Sequence, residues 1–261
     1  MIVVDRDIPY GRRPAHRLDI HRLRGVQQAP VLVLVHGGAW AMGDKANPGF
    51  IDAKAAHYAG RGWVVVSVNY RLLPWGGPRE QAEDVARALS AVQQHVARWG
   101  GDGACVCLLG HSTGAHLGAL VLADGELSRG LAPLQGAVLL DSAALDVVEI
   151  MRGPHLPLHE RAFGDDPAVW QALSPWHRLQ SRLPPLLLVS SAQRPASVVQ
   201  AARFAERARA LGGTAEQFEV DLGHAEINRT LGLPGALTDA VDAFLDRCAG
   251  KPRAEGLSAD S

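Results

Sequence analysis

The feature that most constrains this chain is the alternation of short strand-length apolar segments with longer stretches of helical spacing. Strand patterns fall at Arg17–Leu23, Val31–Val35, Val64–Asn69, Cys105–Leu109, Ala137–Leu140, Leu186–Ser190 and Glu216–Val220. Between them, roughly Ile51–Gly60, Arg79–Trp99, Thr113–Ala123, Val198–Leu211 and Ala236–Cys248 read as helices. The central strand segments are nearly continuous hydrophobe, as expected when helices cover both faces of a parallel sheet. The expected class is therefore α/β, a mostly parallel sheet with helices on both sides. Runs such as Val31–Val35 and Leu186–Val189 are buried-strand length, far short of the roughly 20 residues needed to cross a bilayer, so no membrane partner is expected.

Composition narrows the function classes. With 26 Lys+Arg against 27 Asp+Glu the formal net charge is −1, which leaves no cationic excess for a polyanion, and no nucleic-acid partner is expected. An apolar fraction of 47% over 261 residues suits a full-sized core, and no composition break marks a second domain. The three cysteines are too few for a disulfide framework. Cys105 and Cys107 point the same way on one strand and read as core thiols, and neither Cys nor His spacing suggests a metal site. The eleven histidines are scattered and read mostly as surface or capping residues. Met1–Arg13 meets Asp5 and Arg6 after three apolar residues and has no signal-peptide core, so the expected location is the cytoplasm.

Two regions depart from the alternation. Asp146–Leu183 holds four Pro, three His and two Trp with little periodicity, and it reads as a lid or binding insertion at about 146–183 between two strands. The polar end, residues 251–261, reads as a flexible tail.

The sharpest chemical signal is Gly110-His111-Ser112-Thr113-Gly114, which follows one strand pattern and opens a helical one. In that setting Gly-x-Ser-x-Gly forms a nucleophile elbow that projects the Ser112 hydroxyl above the sheet, with the Thr113 amide beside it. Upstream, Val31–Val35 runs into His36-Gly37-Gly38-Ala39-Trp40, whose glycines allow backbone amides to face an oxyanion. Gly38, Ala39 and Thr113 are the expected oxyanion donors. His36 is expected to brace the loop, with Tyr70 and Arg71 beneath it, and Trp40 to wall a substrate pocket or simply to pack.

Together with Asn69-Tyr70-Arg71-Leu72 followed by Pro74, and with Ala115-His116-Leu117 extending the elbow, these segments resemble the α/β-hydrolase superfamily. The nearest pattern is the branch of kynurenine formamidases (arylformamidases) and hormone-sensitive-lipase-like carboxylesterases. The resemblance runs from about Arg17 to Cys248 and implies an α/β-hydrolase domain over residues 1–250. It also implies cofactor-free cleavage of a small-molecule ester or amide by a Ser-His-acid triad in that chain order. Gly223-His224-Ala225-Glu226 follows the last strand pattern, which makes His224 the expected base and Glu226 a residue that orders its loop.

The acid departs from the resembled pattern. Where that family carries an Asp, this chain reads Ser190-Ser191-Ala192-Gln193-Arg194-Pro195-Ala196-Ser197, placing Gln193 or Arg194 at the acid position. Three readings stay open: an acid moved to the preceding strand's loop as Asp141 or Asp146, a Ser-His dyad, or a non-hydrolytic small-molecule-binding protein. Asp146 also suits a purely structural role in ordering its loop. Trp176, with His155 and His159, is the expected contribution of the insertion to the substrate pocket.

Overall fold

The computed structural model describes residues 1–142 and 144–250, so the expected tail at 251–261 lies outside the described residues. Its strands are β1 (Ile2–Pro9), β2 (Arg17–Leu23), β3 (Ala29–Val35), β4 (Val64–Val68), β5 (Gly101–His111), β6 (Gly136–Leu140), β7 (Leu186–Ser191) and β8 (Ala215–Val220). They form one sheet in the order β1-β2-β4-β3-β5-β6-β7-β8. Strand β2 runs antiparallel to both of its neighbours, and the pairs from β4 across to β8 are parallel.

Each central strand feeds two cores. In β3, Val31, Val33 and Val35 face one side while Leu32 and Leu34 face the other, and all five are fully buried. Helix α1 (Pro48–Gly60) covers the Leu32/Leu34 face, and α2 (Pro78–His95) and α3 (Thr113–Ala123) cover the Val face. The absence of alternation in the sequence is thus the mark of two-sided burial. Strand β1 escaped the sequence reading for the opposite reason. It is an edge strand of charged and apolar residues, none of them fully buried, so no apolar run announces it.

Four short helices fill the insertion: α4 (Val147–Arg152), α5 (Pro157–Phe163), α6 (Pro167–Ala172) and α7 (Pro175–Arg178). Pro157, Pro167 and Pro175 each occupy the first turn of a helix, where the missing N–H breaks no hydrogen bond. At four to seven residues these helices are too short for a helical period to emerge from the sequence. After β7 come α8 (Pro195–Ala210), which packs on β7 and β8 on the same side of the sheet as α2 and α3, then α9 (His224–Thr230) and α10 (Ala236–Cys248), which join α1.

One expectation fails broadly. His16, His21, His36, His111 and His116 are buried, and only His95 is exposed among the histidines. Most are internal hydrogen-bonding groups, an assignment that scattered positions in a sequence cannot reveal. Among the described residues, no helix is long and apolar enough to cross a membrane.

Because β3, β5, β6, β7 and β8 are parallel, the loops at their carboxyl ends share one edge of the sheet, the edge at which α/β folds bind ligands. Those loops carry His36–Trp40, Ser112, Asp141, Arg194 and His224 respectively.

Candidate active site

Strand β5 passes into α3 with only Ser112 between them, held at φ 55° and ψ −116°. A non-glycine residue in so sparsely populated a region stores on the order of 1–3 kcal/mol of strain. The flanking glycines are required by space. A Cβ at Gly110 would meet the Gly114 carbonyl oxygen at 2.3 Å, and one at Gly114 would meet that of Val35 at 2.1 Å. The turn is fixed by the Ser112 amide donating to Leu140 O at 2.9 Å and the His116 amide donating to Ser112 O at 3.0 Å.

The loop after β3 folds back on itself, with Gly38 at φ 138°, Ala39 at 52° and Trp40 at 59°. The amides of Ala41 and Met42 donate to Gly38 O at 3.1 and 2.9 Å. His36 braces it as expected: Nδ1 donates to Gly37 O at 2.9 Å, and the ring stacks on Tyr70 at 4.4 Å. The Tyr70 hydroxyl donates to His36 O at 2.8 Å, and burial lowers the pKa of the imidazole, keeping it neutral. Arg71 grips Asp84 at 2.8 Å. The Trp40 amide donates to Thr113 Oγ1 at 3.3 Å, tying the loop to the elbow, a contact for which the sequence holds no signal. The amides of Gly38, Ala39 and Thr113 donate to no protein acceptor among the described residues.

His224 opens α9. Its loop is held by the Gly223 amide donating to Glu226 Oε2 at 3.1 Å and by His111 Nε2 donating to His224 O at 3.0 Å. Its Nδ1 lies 2.6 Å from Oδ2 of Asp141, on the loop after β6. Asp141 is fully buried and also accepts from the Ser191 amide at 3.1 Å and from Ser197 Oγ at 2.6 Å. Burial alone would raise its pKa, but the hydrogen bonds from His224, Ser197, Ser191 and Arg194 outweigh burial and hold the carboxyl well below the usual range.

The segment where the resembled pattern carries its acid is not idle. Gln193 turns outward and donates from Nε2 to Asp221 Oδ1 at 3.0 Å. Arg194 turns inward, placing Nη1 2.5 Å from Asp141 Oδ2, 3.0 Å from Asp141 O and 2.7 Å from His224 Nδ1. Neither this arrangement nor the support from Ser197 was legible in the sequence.

Two expectations are corrected. Asp146 is far from His224's partners: it caps α4, accepting from the Glu149 amide at 3.1 Å, and faces His177 and Arg203 at 3.5 Å. This carboxylate, five residues beyond Asp141, serves the helix. Trp176 is absent from the cavity that Ser112 and His224 share. Its ring lies under the guanidinium groups of Arg207 and Arg203, at 4.6 and 5.3 Å, and its amide donates to Leu145 O at 2.8 Å.

That cavity is about 490 Å³ and is walled by Trp40, Phe50, Leu156, Leu158 and His159, with Gly38, Ala39 and Thr113 beside Ser112. Trp40 both walls and packs. Its ring meets Phe163 at 4.8 Å, and Nε1 donates to His116 Nδ1 at 3.2 Å. The other nitrogen of that buried imidazole donates to Leu173 O at 2.9 Å, which ties the insertion to α3, and burial pushes its pKa down to about 4. His155 turns to Gly153 O and does not line the cavity. Among the described residues, no three His, Cys, Asp or Glu side chains converge as a metal site.

Known esterases resemble this chain in sequence and in fold. The BD-FAE family model matches residues 18–137. Esterase LipC of Mycobacterium tuberculosis is 30% identical over 224 residues, covering 79% of this chain and 55% of that protein. A probable isoprenylcysteine alpha-carbonyl methylesterase of Arabidopsis thaliana is 33% identical over 122 residues, 46% of this chain and 25% of that one. The chain thus spans about half the length, or less, of these curated relatives. A thermophilic esterase of Thermogutta terrifontis superposes with a TM-score of 0.77 at 20% identity, covering 97% of this chain and 95% of its own. Esterase B of Lactobacillus rhamnosus superposes at 0.77 and 20% identity, covering 95% and 86%.

Proposed function

Because the chain belongs to the α/β-hydrolase superfamily, in its hormone-sensitive-lipase-like carboxylesterase branch, we propose that residues 1–250 act as one serine carboxylesterase domain on a small ester. The observation that carries this reading is the 2.6 Å contact of His224 Nδ1 with Asp141, in a pocket that Ser112 shares with His224. With Nδ1–H bonded to the carboxylate, the lone pair on Nε2 takes the Ser112 proton as Oγ attacks the ester carbonyl. The buried Asp141 anion stabilises the imidazolium formed in that step. Backbone N–H groups of Gly38, Ala39 and Thr113, with no protein acceptor to leave, receive the oxyanion, each worth on the order of 3 kcal/mol. His224 then returns the proton to the leaving alcohol, and water repeats the sequence on the acyl-enzyme.

The substrate is a small ester whose acyl or alcohol part fits beside Trp40, Leu156 and Leu158. An aryl-formamide is the alternative within the same chemistry, supported by the resemblance of the His36–Trp40 and Gly110–Leu117 segments to arylformamidases.

The test is a fluorophosphonate probe followed by peptide mass spectrometry. A single adduct on Ser112, absent from Ser112→Ala with unchanged circular dichroism, is the expected result. No adduct, or one on another residue, overturns the reading in favour of a non-hydrolytic binding protein.

A further inference from the structure

Among the described residues, the pocket that holds Ser112 is lined by one cationic side chain of fixed charge, Arg194, and by one carboxylate, Asp44. Asp44 is engaged by the Ala46 amide at 2.7 Å and by Asn69 Nδ2 at 2.8 Å, and no ion pair among the described residues joins it to Arg194. The Arg194 side chain is about a third exposed, and all its side-chain hydrogen bonds to described residues come from Nη1. A guanidinium has five N–H donors in a rigid fork. Nε and Nη2 therefore keep three donors that no described residue uses, on a side chain that forms part of the pocket wall.

Hydrogen counting defines what Nη1 does to His224. Asp141 Oδ2 lies within 2.6 Å of both Nη1 and Nδ1, and the two nitrogens are themselves 2.7 Å apart. Only one hydrogen fits between them. If it belongs to Nη1, Nδ1 is an acceptor, the ring proton sits on Nε2, and the nitrogen that must take a proton from serine cannot. If Nδ1 instead carries its proton to Asp141, two donors face each other at 2.7 Å without a bond. A guanidinium at that distance also opposes the imidazolium that forms during attack, the species Asp141 stabilises.

From this arrangement we propose that Arg194 is a specificity-determining and positioning residue, which selects an ester carrying a carboxylate on its acyl part. The substrate carboxylate binds the unused Nε and Nη2 donors, neutralises the guanidinium and draws Nη1 off Nδ1, freeing His224 for its Asp141-bonded tautomer. A neutral ester lacks that handle and meets a base held in competition. The inference rests on the hydrolase reading above.

The test compares p-nitrophenyl pentanoate with the p-nitrophenyl monoester of glutaric acid, which presents a carboxylate on a chain of the same length. Charge-assisted pairing of this kind corresponds to roughly 10- to 100-fold, so the parent is expected to favour the glutarate ester by that factor in kcat/KM, with part of the gain in kcat. Arg194→Gln is expected to bring the glutarate-to-pentanoate ratio of kcat/KM to about one, and Arg194→Lys to retain part of the preference. If both variants lose both substrates in equal proportion, Arg194 is only a tie on Asp141, and the proposal is overturned. It is overturned equally if the parent shows no preference for the anion, or one confined to KM. Should the Gln variant fail to fold, the parent ratio and the Lys variant decide. Hydrolysis of neither ester together with no phosphonate adduct on Ser112 overturns the hydrolase reading itself. Hydrolysis of neither ester with an adduct on Ser112 overturns only the selectivity.

Discussion

Nδ1 of His224 and Oδ2 of Asp141 lie 2.6 Å apart across 83 residues of sequence. The carboxylate comes from the loop after β6, whereas the resembled family draws its acid from the loop after the next strand. Strands β6 and β7 are parallel neighbours in register, Leu140 beside Val189, so their loops begin about 4.8 Å apart. One carboxylate side chain spans that difference. The position left behind is filled by Arg194, which binds the same carboxylate oxygen.

Asparagine at position 141 preserves shape and removes the charge that compensates the imidazolium. We expect Asp141→Asn to lower kcat on the order of 10⁴-fold with the fold retained by circular dichroism. Asp146→Ala should instead leave kcat within a few-fold and lower stability by about 1 kcal/mol, the value of a helix cap, read by urea unfolding. Gln193→Asp should change little, since that side chain points to Asp221. A parental rate in Asp141→Asn would return the site to a bare Ser-His dyad.

Trp176 sits between Leu145 and two arginines, away from the cavity. Trp176→Ala is expected to cost about 2 kcal/mol or more of stability with the ranking of acyl substrates unchanged. Leu158→Ala, in the cavity wall, should alter that ranking by an amount equivalent to roughly 1–3 kcal/mol. Rates on an acyl-length series, measured beside melting curves, separate the two effects.

His111 and His116 are held neutral by burial, with pKa values pushed down to about 3 and about 4. In the unfolded chain both take up a proton near pH 6.5. Below that pH the unfolded state binds more protons than the folded one, so stability falls with acidification and continues to fall toward pH 4. Each histidine contributes on the order of 1 kcal/mol per pH unit in that window. His116→Gln should flatten the slope of unfolding free energy between pH 6.5 and 4, whatever its effect at pH 7. An unchanged slope would show that His116 is not held neutral.

Lys54 is a buried lysine whose ammonium donates to Phe50 O and to both Asn228 O and, at 3.0 Å, Asn228 Oδ1, tying α1 to the helix that begins with His224. Burial pushes its pKa down to about 7. Lys54→Met removes these bonds and takes the donor from the partly buried Asn228 oxygens, and a loss of about 1–3 kcal/mol is expected. Because α9, which begins with His224, loses this tie to α1, kcat should fall more than KM rises. Thermal melts and steady-state kinetics on one ester check both.

Local pattern determined a great deal here. Seven of the strands, the long helices, the turn at Ser112 and the glycine-rich loop after β3 follow from residues adjacent in sequence, because burial on two faces and a sharp glycine-flanked turn each leave a mark within a few residues. The edge strand β1 left none, since it is only partly buried, and helices of one or two turns in the insertion are too short to show a period. Tertiary structure alone put Asp141 rather than Asp146 beside His224, turned Trp176 away from the pocket, buried five histidines and brought Arg194 against His224. Each of those outcomes depends on which loops meet at the carboxyl edge of the sheet. Strand order determines that meeting, and residues 83 positions apart carry no local trace of it.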